Sequence, residues 1–372
     1  MAGSLALAAP LAAAASTAGA APTAVAASLP SAPGTSGSPY GSYGEGATRY
    51  GGSSAGASTQ TPATAADSAQ STGVVIIETT LGYEDAQAAG TGMVLSADGL
   101  VLTNNHVIEG STEIRVTIAA TGQTYTATVV GTDAADDVAL LQLQGASGLQ
   151  PVTVDDDAEA VGDAVTAVGN ASGGGVLLAA DGAITELESS VTTSSDGLTA
   201  GETLDGMIEF AADVVAGDSG GAVLDAEGEV VGMTTAASSG SATTVAYAIP
   251  IEDALAIVDK IRAGDESDGV AVGSPAFLGV QVARVPAGYR YGGSATTGAL
   301  IAGAIDGTPA AAAGLVAGDT ITAIDGTAIA DADALTTVLA GHRPGDTITL
   351  TWVDGPGATR SAEVTLIAGP AA

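Results

Sequence analysis

Cysteine is absent from the 372 residues, which excludes disulfides, thiolate metal sites and a cysteine nucleophile. Histidine is nearly absent: His106 and His342 are the only candidates for imidazole chemistry. Basic residues are few, 8 Lys and Arg against 42 Asp and Glu. The formal net charge of −34 repels nucleic acid and anionic headgroups, so nucleic acid is not expected as a partner. The longest acidic run is Asp155-Asp156-Asp157, which makes this a distributed acidic surface and not an acidic tail. With two Phe and one Trp, the cores have to be built from Val, Ile, Leu and Ala. No phosphate loop or metal-ligand cluster is visible, so no cofactor and no metal is expected.

Glycine and β-forming residues are plentiful, and the chain changes texture along its length. Residues 1–29 are Ala-rich and apolar, but lack a positive start and are interrupted by Pro10 and Pro22. They read as an export segment or anchor, with Ala24-Val25-Ala26 as a small-residue cleavage site, against a plain disordered leader. Residues 30–72 are rich in Ser, Gly, Pro, Thr and Tyr, the composition of a flexible linker. From Val74 to Ile249 about a dozen short apolar runs follow one another, separated by Gly and Asp turns. They include Val74–Ile77, Gly92–Leu95, Leu100–Thr103, Thr124–Val130, Val161–Val168, Val176–Leu178, Glu229–Thr235 and Val245–Ile249. Ile114, Val116 and Ile118 alternate with polar residues, as a half-buried strand does. The pattern predicts two all-β barrels. After Pro250, apolar residues at 251, 254, 255, 258 and 261 form a helical stripe that closes a unit spanning 73–262. A linker over 263–274 leads to a small α/β unit over 275–368, which opens with a strand Phe277–Val282.

Three short stretches carry chemistry. Gly217-Asp218-Ser219-Gly220-Gly221 places a serine between glycines, a turn that holds a hydroxyl forward beside the N–H groups of Gly217 and Ser219. His106 ends the run Leu100-Val101-Leu102-Thr103-Asn104-Asn105, where a base facing a cleft would sit. Asp133, Asp136 and Asp137 could orient that base. Asp137, directly before the apolar Val138-Ala139-Leu140-Leu141, is best placed to be held against an imidazole. Each alone is commonly a turn residue.

Together these residues resemble a known family. The order His106, Asp137, Ser219 is that of chymotrypsin-like triads. Gly90-Thr91-Gly92, Thr103-Asn104-Asn105-His106-Val107, Asp137-Val138-Ala139-Leu140, Val168-Gly169-Asn170, Gly217–Gly221 and Ala246-Tyr247-Ala248-Ile249-Pro250 resemble the HtrA family of exported serine proteases. Phe277-Leu278-Gly279-Val280 and Gly314-Leu315-Val316-Ala317-Gly318-Asp319-Thr320-Ile321 resemble a PDZ domain.

The resemblance implies a mostly β fold: a double six-stranded barrel of the trypsin-like type over 73–262, then a PDZ domain over 275–368. It implies a serine endopeptidase with Ser219 as nucleophile, His106 as base and Asp137 as orienter, acting on unfolded or misfolded extracytoplasmic proteins. The N–H groups of Gly217, Asp218 and Ser219 would form the oxyanion hole. Thr235, Ala236 and Ala237 would pair with substrate backbone. Phe277, Leu278, Gly279 and Val280 would capture a C-terminal carboxylate. Asp213, six residues before Ser219, would favour Arg or Lys as a pocket floor, whereas Val245 on the opposite wall would favour small aliphatics. The partners implied are polypeptide substrates, C-terminal peptides, a membrane through the N-terminus, and two further copies in a homotrimer. The short Thr79–Ala89 segment argues against cages. The rival reading is a proteolytically dormant peptide-binding or holdase module. The sequence departs from the family in Asp218, where Asn is common, and in Ala222, where Pro is common.

Overall fold

The computed structural model describes residues 60–83, 86–192, 203–238, 244–283 and 297–371. The expected export segment, the linker up to residue 59 and the loop over 284–296 lie outside the described residues. Among the described residues, no helix is long and apolar enough to cross a membrane.

Six antiparallel strands make the first barrel: Val74–Leu81, Ala86–Val94, Leu100–Thr103, Glu113–Ile118, Gln123–Asp133 and Val138–Leu143. Pairing between the last two closes it. Six more make the second: Ala164–Gly169, Leu178–Thr192, Thr203–Ala211, Ala222–Leu224, Val230–Ser238 and Val245–Pro250, closed by pairing of the first two. The run Val74-Val75-Ile76-Ile77 is continuously apolar because both of its faces are covered. Val75 and Ile77 join a cluster of the first barrel, while Val74 and Ile76 join a cluster shared with Val168, Met207, Met233 and Ile249 of the second. The second barrel keeps its own cluster around Phe210, Ile184 and Val223. Apart from Phe210, the buried side chains of all three are aliphatic residues and methionines, as the scarcity of aromatics requires.

Helix Ile251–Ala263 buries Ile251, Ala254, Ile257, Val258 and Ile261, packs against strands of both barrels, and ends at Gly264 with φ +71. The C-terminal unit is a six-stranded sheet of Val280–Val282, Ala299–Ala304, Thr320–Ile324, Thr347–Val353 and Thr359–Thr365, with Thr327–Ala328 pairing back on Thr320–Ile324. Helices Pro309–Ala313 and Ala332–Ala340 belong to the same unit, whose core centres on Ile321, Leu350 and Trp352.

Several expectations need correction. The strand expected at Gly92–Leu95 starts at Ala86, and the one expected at Val176–Leu178 starts at Leu178 and runs to Thr192. Residues 86–89 of the first are exposed and Ala-rich, and residues 185–192 of the second are exposed or half-buried and mostly polar, so they lack an apolar signature. Val161–Val168 begins only at Ala164, after Gly162 at φ +101. Phe277–Val282 is two strands, Ala276–Phe277 and Val280–Val282, broken at Gly279 with φ +82.

The expected linkers are partly structured too. Thr64–Ala65 pairs with Leu178 and Ala179 of the second barrel. Val270–Val272 pairs with Gly131–Asp133 of the first. The two units touch at further points. Tyr83 stacks on Phe277 with ring centroids 5.4 Å apart, Arg343 pairs with Glu266, and Ala371 exchanges backbone hydrogen bonds with Gly110 and Ser111, at 2.8 and 3.0 Å.

Candidate active site

Asp137 sits at the start of strand Val138–Leu143 with φ +54, a left-handed backbone uncommon for a non-glycine residue. Its own neighbours hold it there. The Asn104 side-chain amide and the Asn105 N–H both donate to the Asp137 carbonyl, at 3.0 and 3.3 Å. The carboxylate accepts three hydrogen bonds: the His106 N–H on Oδ1 at 2.9 Å, the His106 Nδ1–H on Oδ2 at 2.8 Å, and the Thr235 hydroxyl on Oδ2. Asp137 is 6% exposed, so these donors replace the water it has lost. Nδ1 bonded to a carboxylate carries the proton, which leaves the basic lone pair on Nε2. The His106 side chain remains 45% exposed and accessible to a reactant. Of the rival acids, Asp133 is buried and caps the turn, accepting the Ala135 and Asp136 N–H groups.

Thr235 brings the second barrel to this pair. Its hydroxyl reaches Asp137, and its carbonyl accepts the Ser219 hydroxyl at 3.3 Å. The glycines around Ser219 are required by close packing. A Cβ on Gly217 would lie 2.4 Å from the Asn170 carbonyl, and φ is +98. A Cβ on Gly220 would lie 2.1 Å from the Thr91 carbonyl, and φ is +81. A Cβ on Gly221 would lie 2.3 Å from the Val168 carbonyl. Among the described residues, the N–H groups of Gly217 and Ser219 donate to no acceptor in the chain. Two unengaged donors beside a hydroxyl can receive a developing oxyanion.

Asp218 is 6% exposed, and its carboxylate accepts the Val215 N–H at 2.9 Å. Burial pushes its pKa up to about 6, the Val215 hydrogen bond opposes the rise, and the charge of Asp213 adds to it. Asp213 itself is half-buried and accepts the Ala63 N–H at 3.3 Å. Val245 pairs opposite Ser238, and Tyr247 opposite Ala236. Pairing of this strand with Ala222–Leu224 stops at Met233, so backbone 235–238 keeps one open edge.

Three residues assigned no role from sequence hold the nucleophile loop. The Thr91 hydroxyl donates to the Gly217 carbonyl at 2.7 Å and accepts the Asn170 N–H at 2.8 Å, while its backbone N–H donates to the Ser219 carbonyl at 2.9 Å. Thr103 donates to the Thr91 carbonyl at 2.7 Å. Asn170 accepts the Gly175 N–H at 2.8 Å. The available signal was a small-residue run, Gly90-Thr91-Gly92, and an Asn ending the strand Ala164–Gly169.

In the C-terminal unit, Leu278 is buried, and its carbonyl accepts the Ala310 N–H at 2.9 Å. The Gly279 carbonyl accepts the Ile305 N–H at 2.9 Å and the Thr308 hydroxyl at 3.3 Å. The N–H groups of Leu278 and Gly279 donate to no acceptor among the described residues. Phe277 lies under Tyr83, and Val280 opens the next strand. Elsewhere, Asp155, Asp156 and Glu229 bring three carboxylates together beside the Val154–Val230 bridge. Exposed acids assemble this way without an ion in a chain so acidic.

Comparison with known proteins shows the families to which the two units belong. Residues 90–233 match the trypsin-like peptidase domain family, and residues 276–366 match the PDZ domain family. The serine protease PepD of Mycobacterium tuberculosis is 34% identical over 314 residues, which are 79% of this chain and 63% of that protein. A probable periplasmic serine endoprotease, DegP-like, of Brucella suis is 34% identical over 277 residues, 73% of this chain and 51% of that protein. The chain thus spans between half and two thirds of these relatives. A solved structure of the HtrA-type protease AlgW with tripeptide is 30% identical, covering 81% of this chain and 95% of that one, with a TM-score of 0.45.

Proposed function

Since the chain belongs to the HtrA family of trypsin-like serine proteases with a C-terminal PDZ domain, we propose that it is a serine endopeptidase that cleaves unfolded or misfolded extracytoplasmic polypeptides. The observation that carries this is the assembly at the barrel interface: His106 on Asp137, Asp137 on Thr235, Thr235 on Ser219, beside two unengaged N–H groups.

Ser219 Oγ attacks the peptide carbonyl while His106 Nε2 takes its proton. Charge on the tetrahedral oxygen is met by the N–H groups of Gly217 and Ser219, with Asp218 completing the turn. His106 then protonates the leaving amine, and water reverses the sequence on the acyl-enzyme. Asp137 fixes the imidazole tautomer and stabilises its cation. Substrate backbone adds to the open edge formed by Thr235, Ala236 and Ala237. Asp213 and Val245 flank the side chain that precedes the scissile bond. In the PDZ domain, the N–H groups within Phe277–Val280 bind a C-terminal carboxylate.

In this reading residues 73–262 are the protease domain and 275–368 the PDZ domain. Residues 1–29 direct export or tether the chain, and the relatives named periplasmic support an extracytoplasmic site of action. A homotrimer is the expected assembly, and light scattering that gives a monomer mass removes it.

The decisive experiment treats the full chain with a fluorophosphonate and measures cleavage of an unfolded protein. Labelling at Ser219, with cleavage lost in Ser219→Ala, is expected. A Ser219→Ala chain that still cleaves overturns the reading. An unlabelled native chain that still binds C-terminal peptides establishes the dormant module instead.

A further inference from the structure

Residues 60–66 read as linker from composition, yet they lie along the second barrel. Every third residue, Gln60, Ala63 and Ala66, is half-buried, while those between are exposed. The segment is fixed at its far end by Thr64–Ala65 pairing with Ala179 and Leu178, and by the Ala66 N–H on the Leu177 carbonyl at 3.0 Å. Its near end grips Thr244 twice: Gln60 Nε2 donates to the Thr244 carbonyl at 2.8 Å, and Gln60 Oε1 accepts the Thr244 N–H at 2.6 Å. Between these anchors the Ala63 N–H donates to Asp213 Oδ2.

The two residues touched are informative. Thr244 immediately precedes Val245, and Asp213 lies six residues before Ser219. Asp213 is the floor and Val245 the opposite wall assigned to the side-chain pocket, so the segment touches one and the neighbour of the other. Asp213 lies close enough to the nucleophile turn for its charge to act on Asp218. Among the described residues no basic side chain pairs with Asp213. The donor it does have is a backbone N–H supplied by the segment.

We propose that Gln60–Ala66 is a specificity strap: it engages Asp213 through the Ala63 N–H and holds the opposite wall through Gln60, so the pocket accepts small apolar side chains while the strap is seated and Arg or Lys once it is released. This rests on Ser219 as nucleophile and on Asp213 and Val245 as pocket walls. The Ala63 N–H takes Oδ2 of the carboxylate that a cationic side chain would seek, and the strap backbone comes with it. Seating the strap also removes water from that carboxylate, whereas releasing it restores an unpaired acid to the pocket. Proline at 63 deletes the donor, and alanine at 60 deletes both bonds to Thr244.

The test compares kcat/KM for two fluorogenic peptides that differ only in Val or Arg before the scissile bond, using the full chain with active sites counted by fluorophosphonate. The native chain should favour Val. Ala63→Pro and Gln60→Ala should each raise the Arg-to-Val ratio tenfold or more. Asp213→Asn added to Ala63→Pro should return the ratio to the native value. An unchanged ratio in both strap variants overturns the proposal. So does a gain that survives Asp213→Asn, or a native chain that already prefers Arg through Asp213. If Ala63→Pro does not fold, Gln60→Ala carries the test, with Gln60→Ala plus Asp213→Asn as the return arm. Failure of the native chain to label overturns the protease reading and the strap with it; labelling with an unmoved ratio overturns the strap alone.

Discussion

The two barrels contribute to the site in opposite states. The first presents His106 and Asp137 closed: the Asp137 carboxylate and backbone accept five hydrogen bonds, all within the chain. The second presents the Ser219 turn open, with two N–H groups unengaged and a buried acid, Asp218, beside them that accepts the Val215 N–H and, among the described residues, has no basic partner. A base and its orienter work best when their geometry is fixed in advance, whereas an oxyanion hole has to keep donors unused until charge appears. Closure on one side and vacancy on the other are two requirements of one reaction, and each can be broken separately.

The largest expected effect breaks the closed side. Asp137→Asn should cost about 10³–10⁴-fold in kcat, because an amide no longer dictates that Nδ1 carries the proton. Measuring kcat of the native chain and the variant, unlabelled and across a pH series, would check it, and a loss under tenfold would contradict the role. Next comes the open side. Gly217→Ala places a methyl against the Asn170 carbonyl at φ +98, and should cost about 10²–10³-fold in kcat with a much smaller change in KM.

Thr91→Val tests the bracket between the two sides, since it removes the hydroxyl that joins Gly217 to Asn170. It should lower unfolding free energy by about 1–3 kcal/mol in urea, by stranding a buried N–H and carbonyl, and slow labelling of Ser219.

Asp218→Asn tests the electrostatic cost of the open side. The folded pKa of about 6 lies above the ordinary 3.8, so the folded state holds its proton more tightly than the unfolded one. Stability from this group is therefore present in full below pH 3.8 and is lost as pH rises through 6. At 1.36 kcal/mol per pH unit the loss is about 3 kcal/mol, which Asn would recover at pH 7.5 but not at pH 4. Denaturant melts at both values decide it. The smallest effect is at the contact between units. Tyr83→Ala should weaken docking by about 0.5–1.5 kcal/mol, seen as faster amide exchange over 276–282.

The candidate site residues are legible where their backbone demands are extreme. Gly217, Gly220 and Gly221 announce a turn that no side chain could fit; His106 follows the apolar strand Leu100–Thr103, and Asp137 directly precedes Val138–Leu143. The two-barrel architecture followed from aliphatic runs alone. Thr91 and Asn170 were not legible, because a buried hydroxyl or amide on a strand is indistinguishable from an exposed one until its cross-barrel partner is known. The outer lengths of Ala86–Val94 and Leu178–Thr192 were missed because exposed strand carries no apolar alternation. Val270–Val272 and residues 60–66 were read as linker since their order comes from edges supplied by residues far away in the chain.

The PDZ unit is attached on both sides. Val270–Val272 ties its approach to the strand that leads toward Asp137, Ala371 ties its far end to the loop after His106, and Tyr83 lies on Phe277. On the proposed function, with these attachments holding the unit in place, the gap between the N–H groups of Leu278 and Gly279 and the hydroxyl of Ser219 would act as a ruler. A polypeptide anchored by its last residue reaches the nucleophile only if enough chain lies in between. Length then becomes a criterion of selection: a ladder of peptides with one common ending should show a threshold, below which fragments are released and not cut again.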